Sequence, residues 1–232
     1  YRENLARFVE TGGSLALVGG ESALLEWDHR DTPLGRLLPV ALQPDGGISS
    51  GSWPVELTEA GRHHPVTALL GDEDDNTALW RSLPPVQARN EVGPAVAGAT
   101  VLATAGDDPD APPLLATREV GEGRVLALTS DGSWTWAMTG NQSSGRYHAD
   151  FWRRAVRWLV RDETEHRVEV RPLRETVHLG EEVRVEVRVR DDDYAPRPDT
   201  PFDLHIRPLG DDSGEIQSWA TDDLGAWAGS VT

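Results

Sequence analysis

The chain has 232 residues, 39 acidic and 22 basic, for a net charge of −17. That surplus of acid opposes binding to nucleic acid or to an anionic membrane surface, where Lys and Arg must meet phosphate. All the bases are Arg, and Lys and Cys are absent, which excludes Schiff-base and P-loop lysines, disulfides, thiolate metal ligands and a cysteine nucleophile within these residues.

At roughly 150 residues per domain the length suggests one or two domains. No apolar run approaches the ~20 residues of a membrane span. The acidity also fits a salty habitat. The chain begins at Tyr1 and stops at Thr232 inside a strand-like run, as expected of a piece of a longer protein.

Residues 2–10 read as a helix with Leu5, Phe8 and Val9 on one face, ended by Gly12 and Gly13. Residues 14–18 (SLALV) form the short apolar run of a buried parallel strand, broken by Gly19 and Gly20. Residues 100–104, 114–120 and 124–129 read as strands, the last two joined as a hairpin through Gly121 and Gly123. Residues 147–161 form the clearest helix, with Phe151, Trp152, Ala155, Val156 and Leu159 on its 3.6 period and Asp150 in its first turn. Helix, buried strand and closing helix point to an α/β layered domain over residues 1–161.

A boundary is expected near Asp162–Glu165, where charge density and pattern both change. Residues 1–161 carry a net −7 and residues 162–232 a net −10. Beyond it Val183, Val185, Val187 and Val189 alternate with Arg184, Glu186, Arg188 and Arg190, the period of a half-buried antiparallel strand. Similar runs lie at 167–171, 202–207, 216–221 and 226–231. Residues 166–232 thus read as the front part of an all-β, immunoglobulin-like sandwich.

The opening segment, ENLARFVETGGSLALVGGESALL, resembles class I glutamine amidotransferases around their nucleophile. In that family a strand ends in a sharp G-x-C-x-G turn. Laid on it without gaps, the cysteine position falls at Gly19. The wider pattern is closer to the glutamine amidotransferase-like domains of bacterial membrane proteins, which often accompany von Willebrand factor A-like domains. The stretches that carry it are Thr32-Pro33-Leu34 with Leu37-Leu38-Pro39-Val40, His64-Pro65, Trp80 with Leu83-Pro84-Pro85, residues 121–131 with Trp134 and Trp136, and residues 148–159.

The resemblance covers residues 1–161 and implies a flavodoxin-like α/β fold, present here in its C-terminal part. It also implies a thiolate activated by a His. Gly19 has no side chain, and the matching late strand, 125–129, is followed by Ser130 and Asp131 rather than by the family's His-x-Glu. The reading that follows is a catalytically silent relative.

Other residues carry two readings each. Ser22 either replaces the lost nucleophile or caps a helix begun by Ala23-Leu24-Leu25; no base is placed for it, which favours the cap. His63 and His64 with Asp72, Glu73, Asp74 and Asp75 invite a metal, but adjacent histidines in a strand diverge and the acidic run reads as a solvated loop. Asp191-Asp192-Asp193 also reads as a loop. Trp134 and Trp136, spaced by two, are expected to share a face, stacking on a sugar or peptide or filling the core beneath a loop. Trp152 is expected against the sheet and Trp158 toward the second domain. Asp131, His148 and Asp150 form either a hydrolytic site or, for the last two, a helix cap. Asn141-Gln142-Ser143 fits a glycosylation sequon.

The expected function is a non-catalytic, amidotransferase-like module of a membrane-anchored bacterial protein, sited in the cell envelope outside the cytoplasm and serving protein interaction or assembly. Its partners are proteins, with no nucleic acid, and it meets a membrane only through segments outside these residues. No metal and no cofactor are expected. The alternatives are a hydrolase of another chemistry in the crevice near Ser22, Asp131 and His148, or a carbohydrate or peptide binder using Trp134 and Trp136 beside Gly19 and Gly20.

Overall fold

The computed structural model describes residues 2–20, 32–43, 46–108, 110–138, 142–161, 168–174, 182–191, 196–207 and 215–231. It divides into two units, Tyr1–Asp162 and Glu163–Thr232.

The first unit opens with α1 (Arg2–Glu10) and β1 (Ser14–Val18), as the periodicity predicts. Ala6 and Val9 are the buried face of α1, whereas Phe8 is 54% exposed and lies over Gly13. There follow β2 (Val40–Leu42), β3 (Ile48–Trp53), β4 (Val55–Leu57), α2 (Glu59–His63), α3 (Glu73–Ser82), β5 (Val86–Asn90) and β6 (Val92–Ala95). The unit is completed by β7 (Ala99–Ala105), β8 (Pro113–Val120), β9 (Gly123–Leu128), α4 (Thr135–Met138) and α5 (Gln142–Leu159).

The main sheet is mixed, in the order β1-β9-β8-β7-β4. Its parallel pair is β1 with β9, in register from Ser14↔Arg124 to Val18↔Leu128. The others are antiparallel, including the expected β8–β9 hairpin. Neighbouring residues of β9 split between two layers. Val125 packs with Ala6 and Val9 of α1, while Leu126 and Leu128 pack with Phe151, Ala155, Trp158 and Leu159 of α5. Two small ribbons, β2–β6 and β3–β5, flank the sheet.

The larger core turns on aromatic packing. Trp80 meets Trp136 and Phe151 edge-on, at 5.6 and 5.8 Å between centroids. Both buried indoles find backbone acceptors: Trp80 Nε1 donates to Thr67 O at 2.8 Å and Trp136 Nε1 to Pro84 O at 3.1 Å.

Several expectations are corrected here. The acidic run 72–75 starts a helix instead of forming a loop. Asp72 is the N-cap of α3, its side chain accepting from Asp75 N at 2.9 Å, and Glu73, Asp74 and Asp75 fill the first turn, where the helix dipole favours acid. The closing helix begins at Gln142, so His148 and Asp150 lie well inside it and cap nothing. Its buried stripe is Phe151, Ala155, Trp158 and Leu159; Val156 is 54% exposed. Trp158 is buried in the first unit's own core, against His64 and Arg124. Asn141 lies outside the described residues, as does the expected boundary at 162–165.

The second unit holds β10 (Val168–Pro172), β11 (Val183–Val189), β12 (Pro201–Ile206), β13 (Glu215–Ala220) and β14 (Ala226–Val231). They form two antiparallel sheets, β10-β11-β14 and β12-β13. The period-two reading of β11 holds: Val185, Val187 and Val189 are buried, and Phe202, Leu204, Ile206 and Trp227 pack on them.

Candidate functional site

The parallel strands β1 and β9 end side by side, and the C-terminal ends of parallel strands are where α/β sheets place ligands. Gly19 and Gly20 leave β1 there, and Thr129, Ser130 and Asp131 leave β9. Gly19 N donates to Leu128 O at 2.7 Å, carrying the pairing one residue past the strand. Gly20 has φ +122°, a conformation that favours glycine.

The residue that organises this corner is Asn90, at the end of β5 and 1% exposed. Its Oδ1 accepts from Gly20 N at 2.9 Å and its Nδ2 donates to Gly20 O at 3.1 Å. Its own backbone N donates to Thr129 O at 2.7 Å. Ser130 Oγ donates to Ala88 O at 2.5 Å and accepts from Gly132 N at 3.0 Å. Strand β5 is thereby stitched across the ends of both β1 and β9.

This stitching fills the space beside Gly19. A Cβ there would stand 2.4 Å from Asn90 Oδ1, 2.6 Å from Thr129 C and 2.7 Å from Ser130 N. Replacing Asn90 by Ala removes both bonds to Gly20, and we expect a loss of about 2 kcal/mol in urea unfolding. An unchanged midpoint would refute the clamp.

Of the other sequence candidates, Asp131 stands at this corner, while the hydrogen-bond and ion-pair partners of His148 and Asp150 lie along α5. Asp131 lies beside Gly20, with Oδ2 3.4 Å from where a Gly20 Cβ would be. His148 Nε2 accepts from Trp152 Nε1 at 3.1 Å, and burial pushes the imidazole below its ordinary value. Asp150 pairs with Arg153 and, at 3.5 Å, with Arg146. His148 and Asp150 are thus committed to partners on their own helix. Ser22 lies outside the described residues.

Trp134 and Trp136 do not share a face. The segment is a 3-10 turn (Gly132–Trp134) running into α4, not a strand, and helical residues two apart diverge. Trp136 is 1% exposed in the core, while Trp134 is 56% exposed and Met138, one turn on, 75%.

His63 and His64 also sit on a helix end and not in a strand. His63 Nε2 lies 3.7 Å from Glu73 and 3.9 Å from Glu59, two carboxylates that Arg62 also approaches, at 3.5 and 3.6 Å. Among the described residues no group of three His, Asp or Glu is arranged to hold a metal ion, and no helix is long and apolar enough to cross a membrane.

Asn90 was missed by sequence reasoning. A lone Asn between Arg89 and Glu91 carries no motif, and its role appears only when β5 lies across β1 and β9.

Comparison with known proteins bears on this corner. A family model described as "Putative glutamine amidotransferase" matches residues 2–161. Two solved structures of Salmonella typhimurium proteins are similar. STM3548, titled a cytoplasmic protein, aligns at 20% identity and a TM-score of 0.52, over 68% of this chain and 59% of its own. STM1381, also titled cytoplasmic, aligns at 21% identity and a TM-score of 0.48 over the same shares. This chain therefore spans under two thirds of the length of either. A beta-galactosidase from Rahnella sp. R3 aligns at 17% identity and a TM-score of 0.41, over 99% of this chain and 30% of its own. No curated protein matches.

Proposed function

The chain belongs, through residues 2–161, to the glutamine amidotransferase-like family, and we propose that within it this protein is a non-catalytic module. One observation carries the reading. The corner where the resemblance puts a nucleophile is occupied by the Asn90 clamp, and Gly19 has no room for a side chain. A thiolate needs an open elbow, an adjacent base and backbone donors free for an oxyanion. Here Gly20 N is already spent on Asn90, and Ser130 on Ala88 and Gly132.

The module is a flavodoxin-like domain carrying an immunoglobulin-like one. Its role is protein interaction or assembly, in a membrane-anchored bacterial protein and outside the cytoplasm. The family resemblance and the appended β unit support this, and a net charge of −17 turns the surface away from nucleic acid and anionic lipid.

The test is ammonia release from L-glutamine by the purified chain, followed in a coupled assay. We expect the rate of buffer alone at every protein concentration. Release that scales with protein would overturn the reading. Placement is tested separately, by protease accessibility of the epitope-tagged protein in intact cells and spheroplasts. Protection in intact cells with digestion in spheroplasts is expected; protection in both would refute it.

A further inference from the structure

The second unit distributes its charge unevenly. Residues 163–190 hold seven acids and six Arg, a net −1, whereas residues 191–232 hold ten acids and two Arg, a net −8. On β10 and β11 the charges answer each other across the strands, Arg171 opposite Glu186 and Glu169 opposite Arg188. Arg188 Nη2 also lies 2.8 Å from Glu186 within β11. The β12–β14 half has no such balance in its sequence. Asp199, Asp203, Glu215, Asp222 and Asp223 are all exposed there.

Little apolar burial stands against this repulsion. Among the described residues the unit has three buried apolar side chains, Val185, Val187 and Val189, and one buried polar one, Thr221. On the same strand face Val168 and Val170 of β10 are 51% exposed. The first unit buries a far larger cluster, including Trp80, Trp136 and Phe151.

We propose that ionic strength sets the folded population of the second unit, independently of the first. Like charges crowded on one half of a small β unit destabilise its compact state. The repulsion reaches ~10 Å at 0.1 M salt and ~3 Å at 1 M, so added salt removes it almost entirely. The larger first unit, with a net −7 over 161 residues, gains little by comparison. This inference does not depend on the proposed lack of catalysis.

The experiment is amide hydrogen exchange of the whole chain, read by mass spectrometry in 0.05 and 1 M NaCl at one pH. We expect protection of β11 and β14 to rise about tenfold in high salt, and that of β9 and α5 less than about twofold. The double variant Asp199→Asn, Asp223→Asn should raise β14 protection in low salt and shrink the response. Asp222 is left intact because its Oδ1 accepts from Leu224 N and Ala226 N, both at 2.9 Å, to hold the turn. Equal protection of β11 and β14 at the two salt levels would overturn the proposal. So would an equal rise in β9, which would be a general solvent effect. A rise produced by 1 mM CaCl2 but not by NaCl would overturn it in favour of ion binding.

Discussion

Gly19→Cys is expected to destabilise the first unit by about 3 kcal/mol or more and to yield no glutaminase. Overpacking a well-filled core costs about 1–3 kcal/mol when side chains can shift. Here two of the three atoms that a new Cβ would meet are backbone, Thr129 C at 2.6 Å and Ser130 N at 2.7 Å, both at the end of β9. That strand is paired on both sides, to β1 and to β8, and cannot retreat without breaking a ladder. The third atom, Asn90 Oδ1 at 2.4 Å, belongs to the clamp itself. Thermal unfolding should show the midpoint falling by roughly 10 °C, at 2–4 °C per kcal/mol for a unit of this size. Adding Asn90→Ala to Gly19→Cys should not restore stability, because the backbone clashes remain. A Gly19→Cys protein that melts like the parent and reacts readily with a thiol reagent would show that the corner is open, and would return the nucleophile reading to contention.

The fold was legible where one face of an element is buried and its period is clean. Residues 2–10, 14–18 and 226–231 emerged with the bounds read from sequence, and the alternating run 183–190 became a strand one residue shorter, Val183–Val189. The β8–β9 hairpin announced itself through Gly121, whose φ is +60°, and Gly123, where an added Cβ would stand 2.0 Å from Val9 O and 2.3 Å from Gly13 O. The middle of the first unit was not legible. Strands β2 to β6 are three to six residues long, and two of their pairings carry register shifts. Such short ribbons are fixed by what they lie against, not by their own pattern. The start of α3 could have been found: Asp72 with Asp75 three residues on is a capping pattern, and charge alone made it look like a loop.

The candidate site was half legible. Gly19 and Gly20 marked the turn, and the matching late strand placed Ser130 and Asp131 beside it. What the turn does was set by Asn90, 70 residues away along the chain. The shared face expected of Trp134 and Trp136 is absent for a different reason. Their spacing by two was read with a strand's period, and the local structure is helical, so one indole went to the core and the other to the surface.

His64 should make the first unit acid-sensitive well above the carboxylate range. It caps the C-terminus of α2, is 5% exposed, and packs on Trp158 at 5.3 Å between centroids with the rings tilted by 59°. Its Nδ1 accepts from Val66 N at 3.2 Å, which fixes a neutral ring with the proton on Nε2. Burial first, and then the Arg124 guanidinium that also covers Trp158, push its pKa down to about 3. The folded value therefore lies below the unfolded 6.5. Under acid the unfolded chain takes a proton at this ring before the folded one does, so stability falls as pH drops below 6.5 and the loss stops accumulating only near 3. The slope is about 1.4 kcal/mol per pH unit, or roughly 3 kcal/mol between pH 6.5 and 4.5. His148 adds to the loss in the same direction. Glu91, held below its ordinary value first by Ser49 Oγ–H and then by Gly47 N–H, gives up its share only as pH falls through the carboxylate range. Urea midpoints of the parent and of His64→Asn, taken from pH 7.5 to 4.5, isolate the His64 part. The variant should start less stable, having lost the ring's packing on Trp158, and the two curves should converge as pH falls. Parallel curves would mean that His64 titrates normally and that the Trp158 contact opens in the native protein.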